Sequence, residues 1–170
     1  MKKTSTTYVA QAAVIAAFYA VLTLLLQPVS FAGSQLRVSE ALTLLPVLTP
    51  AAVPGLAIGC LISNLASPYG VIDIVLGTLA TLLAAVFTRR MRNVRIKNLP
   101  VFSAVFPVLF NAVAVGASIA IMNEGGFTLG IFAFNALTVA LGESIVCFVL
   151  GLPLCRVLEK TKIFRNKEYQ

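Results

Sequence analysis

Histidine and tryptophan are both absent from this sequence, and only six of its 170 residues are acidic. Without histidine the chain has no imidazole for acid–base catalysis, for a metal site or for titration near neutral pH. The three cysteines show no C-x-x-C spacing, so we expect them to behave as small apolar residues and predict no metal site. Phosphate-loop, zinc-protease and serine-hydrolase motifs are also missing. The sequence therefore predicts that the chain is not an enzyme and has no cofactor of its own.

Apolar residues are abundant: they make up 59% of the chain, whereas charged residues make up 11%. A soluble domain of this length does not carry so much apolar sequence, so the composition indicates one integral membrane domain over residues 1–170. The first apolar run, residues 8–27, is long enough to span a bilayer. A signal peptide is the competing interpretation, but no A-x-A cleavage pattern follows the run. We therefore interpret it as a retained helix.

The positions of the lysines and arginines predict how often the chain crosses the membrane. All 13 except Arg37 fall into three clusters, at the N-terminus, between residues 89 and 97, and between residues 156 and 167. Because such residues favour the cytoplasmic side, an even number of crossings should separate each pair of clusters. The hydrophobic block over residues 36–65 must then supply two crossings. This placement also explains the net charge of +7 without a nucleic-acid partner.

That block contains Pro46, Pro50 and Pro54, and interior prolines break or kink helices. We expect it to form two short helices that are sheltered by the others, because about 14 residues reach only roughly 21 Å. The sequence thus predicts an all-α membrane protein, a compact six-transmembrane-helix bundle with cytoplasmic N- and C-termini. The expected spans are residues 8–27, 36–49, 51–65, 72–88, 99–122 and 129–158.

Four carboxylates lie in or against stretches that are hydrophobic enough to cross a membrane: Glu40, Asp73, Glu124 and Glu143. A charge at bilayer depth costs roughly 2.5 kcal/mol or more, so it persists mainly where it faces a partner, a cavity or a ligand. Glu143 is deep and has no basic residue near it in sequence, whereas we expect Glu124, in a glycine-rich turn, to be solvated. Asn135 shares the helix face of Glu143. The pattern predicts a pocket that opens to the outside and is lined by acids and amides.

A carboxylate can accept two parallel N–H bonds and an asparagine amide both donates and accepts, so such a pocket suits a polar, planar or cationic solute. Structural roles are the alternative. Arg37 and Glu40 could pair at a helix start, and Asn111 could join two helices. Asp73 could satisfy the N–H groups of a helix N-terminus. The candidate substrate-binding residues are Glu143, Asn111, Asp73, Glu40, Arg37, Asn135 and Asn64.

The first hydrophobic run carries alanines at a helical repeat. Ala12, Ala16 and Ala20 are four residues apart, with Ala13 and Ala17 beside them. Small residues on one helix face let a second helix approach closely, which is how membrane helices gain packing energy. The pattern alone leaves open whether that second helix belongs to this chain or to a partner.

Four stretches carry a resemblance: QLRVSEALTLLP from Gln35, NLASPYGVID from Asn64 with GTLA after it, NAVAVG from Asn111, and VALGE ending at Glu143. They are similar to the queuosine-precursor transporter (QueT) family of substrate-binding S-components of energy-coupling factor (ECF) transporters. The resemblance covers nearly the whole chain. It implies a multi-pass plasma-membrane protein that binds a 7-deazaguanine such as queuine or 7-aminomethyl-7-deazaguanine. It also implies that the alanine-rich first helix docks on an ECF membrane coupling subunit, served by two ATPases that use the ATP.

The implied ligand suits the predicted pocket. The adjacent N1–H and amino groups of a deazaguanine would fit Glu143, and its carbonyl needs a donor such as Asn111 or Asn135. The amine of either precursor could meet Asp73, Glu40 or Glu124. Three other interpretations stay open: a solitary ion- or proton-coupled carrier of a small polar or cationic solute, a structural assembly subunit, and a membrane enzyme, which the missing motifs disfavour.

Overall fold

The computed structural model describes residues 6–30, 36–161 and 163–164. Some of the sequence predictions concern residues that lie outside this part of the chain, among them most of the first expected outer connection. The residues in question are Lys2, Lys3, Gln35, Lys162, Arg165 and Lys167.

Helices account for most of the described chain, and no β-strand occurs in these residues. Four helical stretches in the same part of the chain are long and apolar enough to cross a membrane. The prediction of an all-α protein with several membrane-spanning helices is confirmed to that extent, whereas six crossings and cytoplasmic termini stay predictions.

In chain order the elements are α1 Thr6–Leu25, α2 Gln27–Ser30, a 3₁₀ helix Val38–Val47, α3 Ala52–Asn64, α4 Gly70–Arg90, α5 Val101–Ile121, α6 Leu129–Ser144, a π-helical segment Ile145–Gly151 and α7 Leu152–Thr161.

The last long stretch, Leu129–Thr161, runs without a break through α6, the π-helical segment and α7, and has 33 residues. At 1.5 Å per residue it is about 50 Å long, compared with about 30 Å for the hydrocarbon core of a bilayer. Pro153 has no N–H and its ring collides with the carbonyl four residues earlier, so a wider π turn before it relieves the clash. A stretch of this length therefore extends beyond the hydrocarbon core. Its basic residues, Arg156 and Lys160, both lie in α7, so we infer that α7 is the end that extends beyond it.

The proline-containing block forms two short helices of different types. The first, Val38–Val47, is a 3₁₀ helix of 10 residues, and α3 has 13 residues. Runs of 3₁₀ helix longer than three or four residues are uncommon. Pro46 removes one N–H from it. Arg89, at the end of α4, donates from Nη1 to Pro46 O at 3.0 Å and to Val47 O at 3.3 Å, which satisfies carbonyls that the helix end leaves open.

Longer helices surround these short ones. α3 contacts α1 and α4, and the 3₁₀ helix contacts α1, α4, α5 and the π-helical segment. Neither short helix could bridge a bilayer alone, and shelter inside the protein keeps the polar groups at their ends away from lipid. Buried side chains fill two interior clusters, one around Tyr19 and Leu56 and the other around Leu44 and Cys147.

α1 and α3 approach each other at two glycines of α3. A Cβ atom at Gly55 would lie 2.7 Å from Ala12 O, and one at Gly59 would lie 2.7 Å from Ala16 O. Real Cβ atoms do not come so close to a backbone oxygen, so only glycine allows the two backbones this separation. The glycines of α3 and the alanines of α1 therefore pack against each other within the chain.

We expect Gly59→Ala to lower the free energy of unfolding by about 1–3 kcal/mol, because the added methyl group collides with Ala16 O and pushes α1 away from α3. Gly130→Ala is the matched control, since a Cβ atom there meets nothing within 4 Å. A denaturant titration of the purified protein in detergent measures both. Equal stability of the two variants would contradict the close approach.

Candidate functional site

Two irregular helices bring two of the predicted acids together. The 3₁₀ helix carries Glu40, and Glu143 lies two residues before the π-helical segment. These elements pack closely, since a Cβ atom at Gly151 would lie 3.3 Å from Ala41 O. The thiol of Cys147 lies 3.9 Å from Glu40 O and 3.8 Å from Glu143 Oε2. The two acids therefore belong to one buried cluster, although they come from distant parts of the sequence.

Glu143 and Asn111 form a hydrogen-bonded pair between α6 and α5. Asn111 Nδ2 donates to Glu143 Oε1 at 3.0 Å, and each residue is only 3% exposed. Gly116 lets the two helices come close, since a Cβ atom there would lie 2.8 Å from the Cα atom of Ala136. Asn111 thus joins two helices and at the same time orients the carboxylate of Glu143.

The side chain of Glu40 is fully buried, and only one of its two carboxylate oxygens accepts a hydrogen bond. The Tyr19 hydroxyl on α1 donates to Glu40 Oε1, whereas Glu40 Oε2 has no hydrogen-bond partner among the described residues. Glu40 and Glu143 are near enough to interact electrostatically, and the positive charge of Arg37 acts on both carboxylates. The cluster therefore contains a buried acceptor oxygen that makes no hydrogen bond with a described residue, although the amide of Asn111 lies near the same carboxyl group.

A second buried group centres on an ion pair. Arg37, directly before the 3₁₀ helix, donates from Nη2 to Asp73 Oδ2 on α4 at 3.1 Å. Ser67 Oγ donates to the same oxygen at 2.6 Å, and Asn64 Nδ2 donates to Asp73 O at 3.1 Å. The Asp73 carboxylate thus accepts hydrogen bonds from side chains that are distant in sequence. The group holds the start of the 3₁₀ helix against α4.

Two of the predicted polar residues lie apart from these groups. Asn135 is half-buried, and its amide donates to Ile131 O of its own helix at 2.8 Å. Glu124 is exposed in the turn after α5. The structure thus places Glu143, Asn111 and Glu40 in one group. It places Arg37, Asp73 and Asn64 in another.

Sequence reasoning missed Tyr19, the donor to Glu40. A signal was present, because Tyr19 and Thr23 are four residues apart and so share one face of the apolar first helix. Thr23 Oγ1 lies 2.7 Å from Ser39 Oγ. This polar face of α1 therefore holds the 3₁₀ helix at two points.

The alanines of α1 divide between the interior and the surface. Ala16 and Ala20 are buried, and Ala12 and Ala16 lie against the glycines of α3. Ala13 and Ala17 are exposed. The face of α1 that carries Ala12 and Ala16 thus packs against α3 of the same chain. The face that carries Ala13 and Ala17 presents small residues outward.

Asp73→Asn should lower the free energy of unfolding by about 3 kcal/mol, because it removes the counter-charge of a buried guanidinium. Glu159→Gln is the matched control: it breaks an ion pair of 2.9 Å with Arg95, but those side chains are 41% and 30% exposed. Such exposed pairs contribute about 1 kcal/mol or less to the free energy of unfolding. Denaturant titration in detergent compares the two variants, and equal losses would argue against a stabilising role for the buried pair.

Comparison with known proteins identifies one family. A family model described as QueT transporter matches residues 9–160. The queuosine precursor transporter QueT of Lactococcus lactis subsp. cremoris (strain MG1363) is 36% identical over 84 residues. Those residues are 48% of this chain and 49% of that relative, so the match spans about half the length of the curated protein. No solved structure matches the chain.

The family and this relative are transporters and not enzymes, which confirms the prediction from the missing catalytic motifs. The family model extends from the first turns of α1 to the end of α7 and includes both buried polar groups. Because it covers nearly the whole chain, the resemblance inferred from the sequence is confirmed, and the chain belongs to the QueT transporter family.

Proposed function

We propose that this chain is the substrate-binding subunit of an ATP-driven importer and that it takes up a queuosine precursor. The substrate class follows from the family and from the name of the curated relative. The observation that carries the ligand assignment is the buried Glu143–Asn111 pair beside a Glu40 oxygen that has no donor in the described chain. A queuosine precursor is a 7-deazaguanine, such as queuine or 7-aminomethyl-7-deazaguanine, and it supplies several donors.

The donors of this ligand match the acceptors of the cluster. A 7-deazaguanine presents an N1–H and an exocyclic amino group side by side, which suits the two oxygens of one carboxylate. We assign this edge to Glu143, with Asn111 donating to the neighbouring carbonyl. Both precursors also carry an amine that is cationic when protonated, and we assign it to Glu40 Oε2. The Arg37–Asp73 pair holds the 3₁₀ helix that carries Glu40.

Unpaired polar atoms would make such a site selective. A buried acceptor without a donor costs roughly 1–3 kcal/mol. A ligand N–H that reaches Glu40 Oε2 recovers part of this energy, whereas an analogue without that N–H leaves the oxygen unpaired. A site built in this way discriminates between ligands more strongly than an apolar pocket does. We therefore expect guanine-like ligands to bind better than adenine-like ones, whose N1 is an acceptor and would face the carboxylate of Glu143.

The membrane arrangement and the partners belong to the same proposal. We propose six crossings of the plasma membrane with both termini in the cytoplasm, because the basic clusters then share one side. An ECF membrane coupling subunit and two ATPases would supply the energy from ATP. Ala13 and Ala17 are the small residues that we assign to the contact with the coupling subunit, since they are exposed whereas Ala16 and Ala20 are buried.

A solitary ion- or proton-coupled carrier is the second candidate function. The proximity of Glu40 and Glu143 favours it, because neighbouring buried carboxylates can bind and pass on a proton. Uptake into liposomes that contain only this chain, compared with uptake into liposomes that also contain the coupling subunit and the ATPases, separates the two candidates. Accumulation driven by a proton gradient without ATPases would support the carrier, and accumulation that requires the coupling subunit and ATP would support the importer.

Glu143→Gln should weaken the binding of queuine and 7-aminomethyl-7-deazaguanine about tenfold to a hundredfold, because an amide sets its NH₂ group against a ligand donor. Glu124→Gln is the matched control and should leave the affinity unchanged, since Glu124 is exposed in a turn. Isothermal titration calorimetry of the purified chain, with guanine and adenine as comparison ligands, gives the affinities. An unchanged affinity in Glu143→Gln would refute the assignment of this residue.

Ala17→Leu should reduce uptake at least severalfold in cells that carry the coupling module, because a larger side chain keeps a partner helix away. Calorimetry should show the same ligand affinity as for the unaltered chain, since Ala17 is exposed and lies outside the buried acids. Ala133→Leu, at an exposed alanine of α6, is the control and should transport normally. Equal uptake by both variants would rule out this face of α1 as the docking face.

A further inference from the structure

A surface cavity of about 340 Å³ lies between α7 and the loop of residues 91–100. It is at the opposite end of α4 from Asp73, so roughly 25 Å of helix separates it from the buried ion pair. Three cations and one acid are among its lining residues. The lining residues are Arg95, Asn98, Arg156, Glu159 and Lys160.

A tight turn forms the wall on the loop side. Ile96 and Leu99 exchange two backbone hydrogen bonds of 2.9 Å, and Lys97 and Asn98 between them have φ values of 48° and 64°. Positive φ at two successive residues is typical of a type I′ turn, in which asparagine is favoured. The turn therefore has a defined shape and fixes the backbone next to Arg95.

Arg95 fastens this turn to α7. Its Nη1 and Nη2 atoms donate to the two carboxylate oxygens of Glu159, each at 2.9 Å, which is a bidentate pair. Hydrogen bonding to Glu159 raises the pKa of Arg95 above its ordinary value, so the arginine stays charged. Because Arg95 occupies both oxygens of Glu159, this acid is not available to neutralise the other cations of the cavity.

Arg156 and Lys160 are those other cations. They are four residues apart in α7, so they lie on one face, and both are exposed. Neither has an ion pair or a hydrogen bond with any residue in the described part of the chain. The lining of the cavity thus has a surplus of two positive charges, which favours an anionic ligand.

Exposed aliphatic side chains lie close in sequence to the residues that line the cavity. Val94 and Ile96 on the loop, and Val157 and Ile163 on and after α7, are between 40% and 66% exposed. α7 ends a helical stretch that is longer than the hydrocarbon core, so it reaches the head-group region. Cations flanked by exposed aliphatic side chains are typical of segments at the membrane interface.

We propose that this cavity binds the phosphate of an anionic phospholipid in the adjacent leaflet. Arg156 and Lys160 supply charge and hydrogen-bond donors to the phosphate, and the apolar rim contacts the first part of the acyl chains. Free inorganic phosphate shares the chemistry of the head group but gains nothing from the rim. A bound lipid links the α4–α5 loop to α7 and anchors this end of the protein at the surface. Under the proposed topology the leaflet is the cytoplasmic one, but lipid binding itself does not depend on that topology.

Native mass spectrometry of the full chain, with phosphatidylglycerol, phosphatidylcholine or inorganic phosphate added to the detergent, tests this proposal. We expect phosphatidylglycerol to bind most tightly. The double variant Arg156→Gln with Lys160→Gln should bind it about 25-fold more weakly, since each cation near a lipid head group contributes about fivefold. The double variant Arg90→Gln with Arg92→Gln removes the same charge from residues that do not line the cavity and should keep the affinity.

Arg156→Lys with Lys160→Arg keeps the charges and should retain the lipid, which separates loss of binding from loss of folding. Equal weakening in the Arg90/Arg92 variant would mean that general surface charge holds the lipid, and this would overturn the proposal. Inorganic phosphate that binds as tightly as phosphatidylglycerol would identify a site for the free anion instead. Equal affinity for phosphatidylcholine, whose phosphate is balanced by its choline, would show that the site does not select an anionic lipid and would also overturn the proposal.

Discussion

The ion pair between Arg37 and Asp73 is the contact on which the arrangement of the buried acids depends. Arg37 directly precedes the 3₁₀ helix, so its bond of 3.1 Å to Asp73 fixes the start of that helix against α4. Glu40 follows one 3₁₀ turn later and thereby lies beside Tyr19. Charges in a low-dielectric interior persist only when they are paired and hydrogen-bonded. Ser67 supplies the additional donor to Asp73, so the pair is held from two directions.

The irregular backbone around the acids follows from prolines and from shelter. Pro46 lies within the 3₁₀ helix, and Pro153 follows the π-helical segment, so each removes an N–H from the regular ladder. Such backbone is tolerated at membrane depth only where other protein elements cover it. The 3₁₀ helix and the π-helical segment cover each other, and at their junction the Cys147 thiol lies near the backbone carbonyl of Glu40 and the carboxyl group of Glu143. The same packing therefore stabilises the irregular helices and sets the distance between the acids.

Burial in a bilayer leaves a strong signal in composition, so the long apolar helices could be predicted from the sequence. The 3₁₀ geometry could not, because it depends on neighbours such as Arg89, which caps carbonyls from a helix 42 or more residues away. Spacing in the sequence also suggests the wrong ion-pair partner for Arg37. Glu40 is only three residues away, yet Arg37 bonds to Asp73, which is 36 residues away. The contact of Tyr19 with Glu40 could not be predicted for a similar reason: Tyr19 and Thr23 mark a polar face of α1, but their spacing does not identify the partner 21 residues away.

The buried carboxylates differ in what the protein leaves for a ligand to do. Asp73 has a guanidinium and a hydroxyl donor at Oδ2, so its charge is balanced within the structure, although its Oδ1 makes no hydrogen bond with a described residue. Glu143 accepts from the Asn111 amide and lies 3.8 Å from the Cys147 thiol, and Glu40 has one hydroxyl donor. Across the described residues no cation forms an ion pair with either acid. Neighbouring acceptor groups that are not fully hydrogen-bonded favour a solute that brings N–H or O–H donors. A donor-rich ligand with an amine meets both groups, whereas a neutral base without the amine meets only one. Selection in this cluster therefore depends on the number of hydrogen-bond donors that a ligand brings.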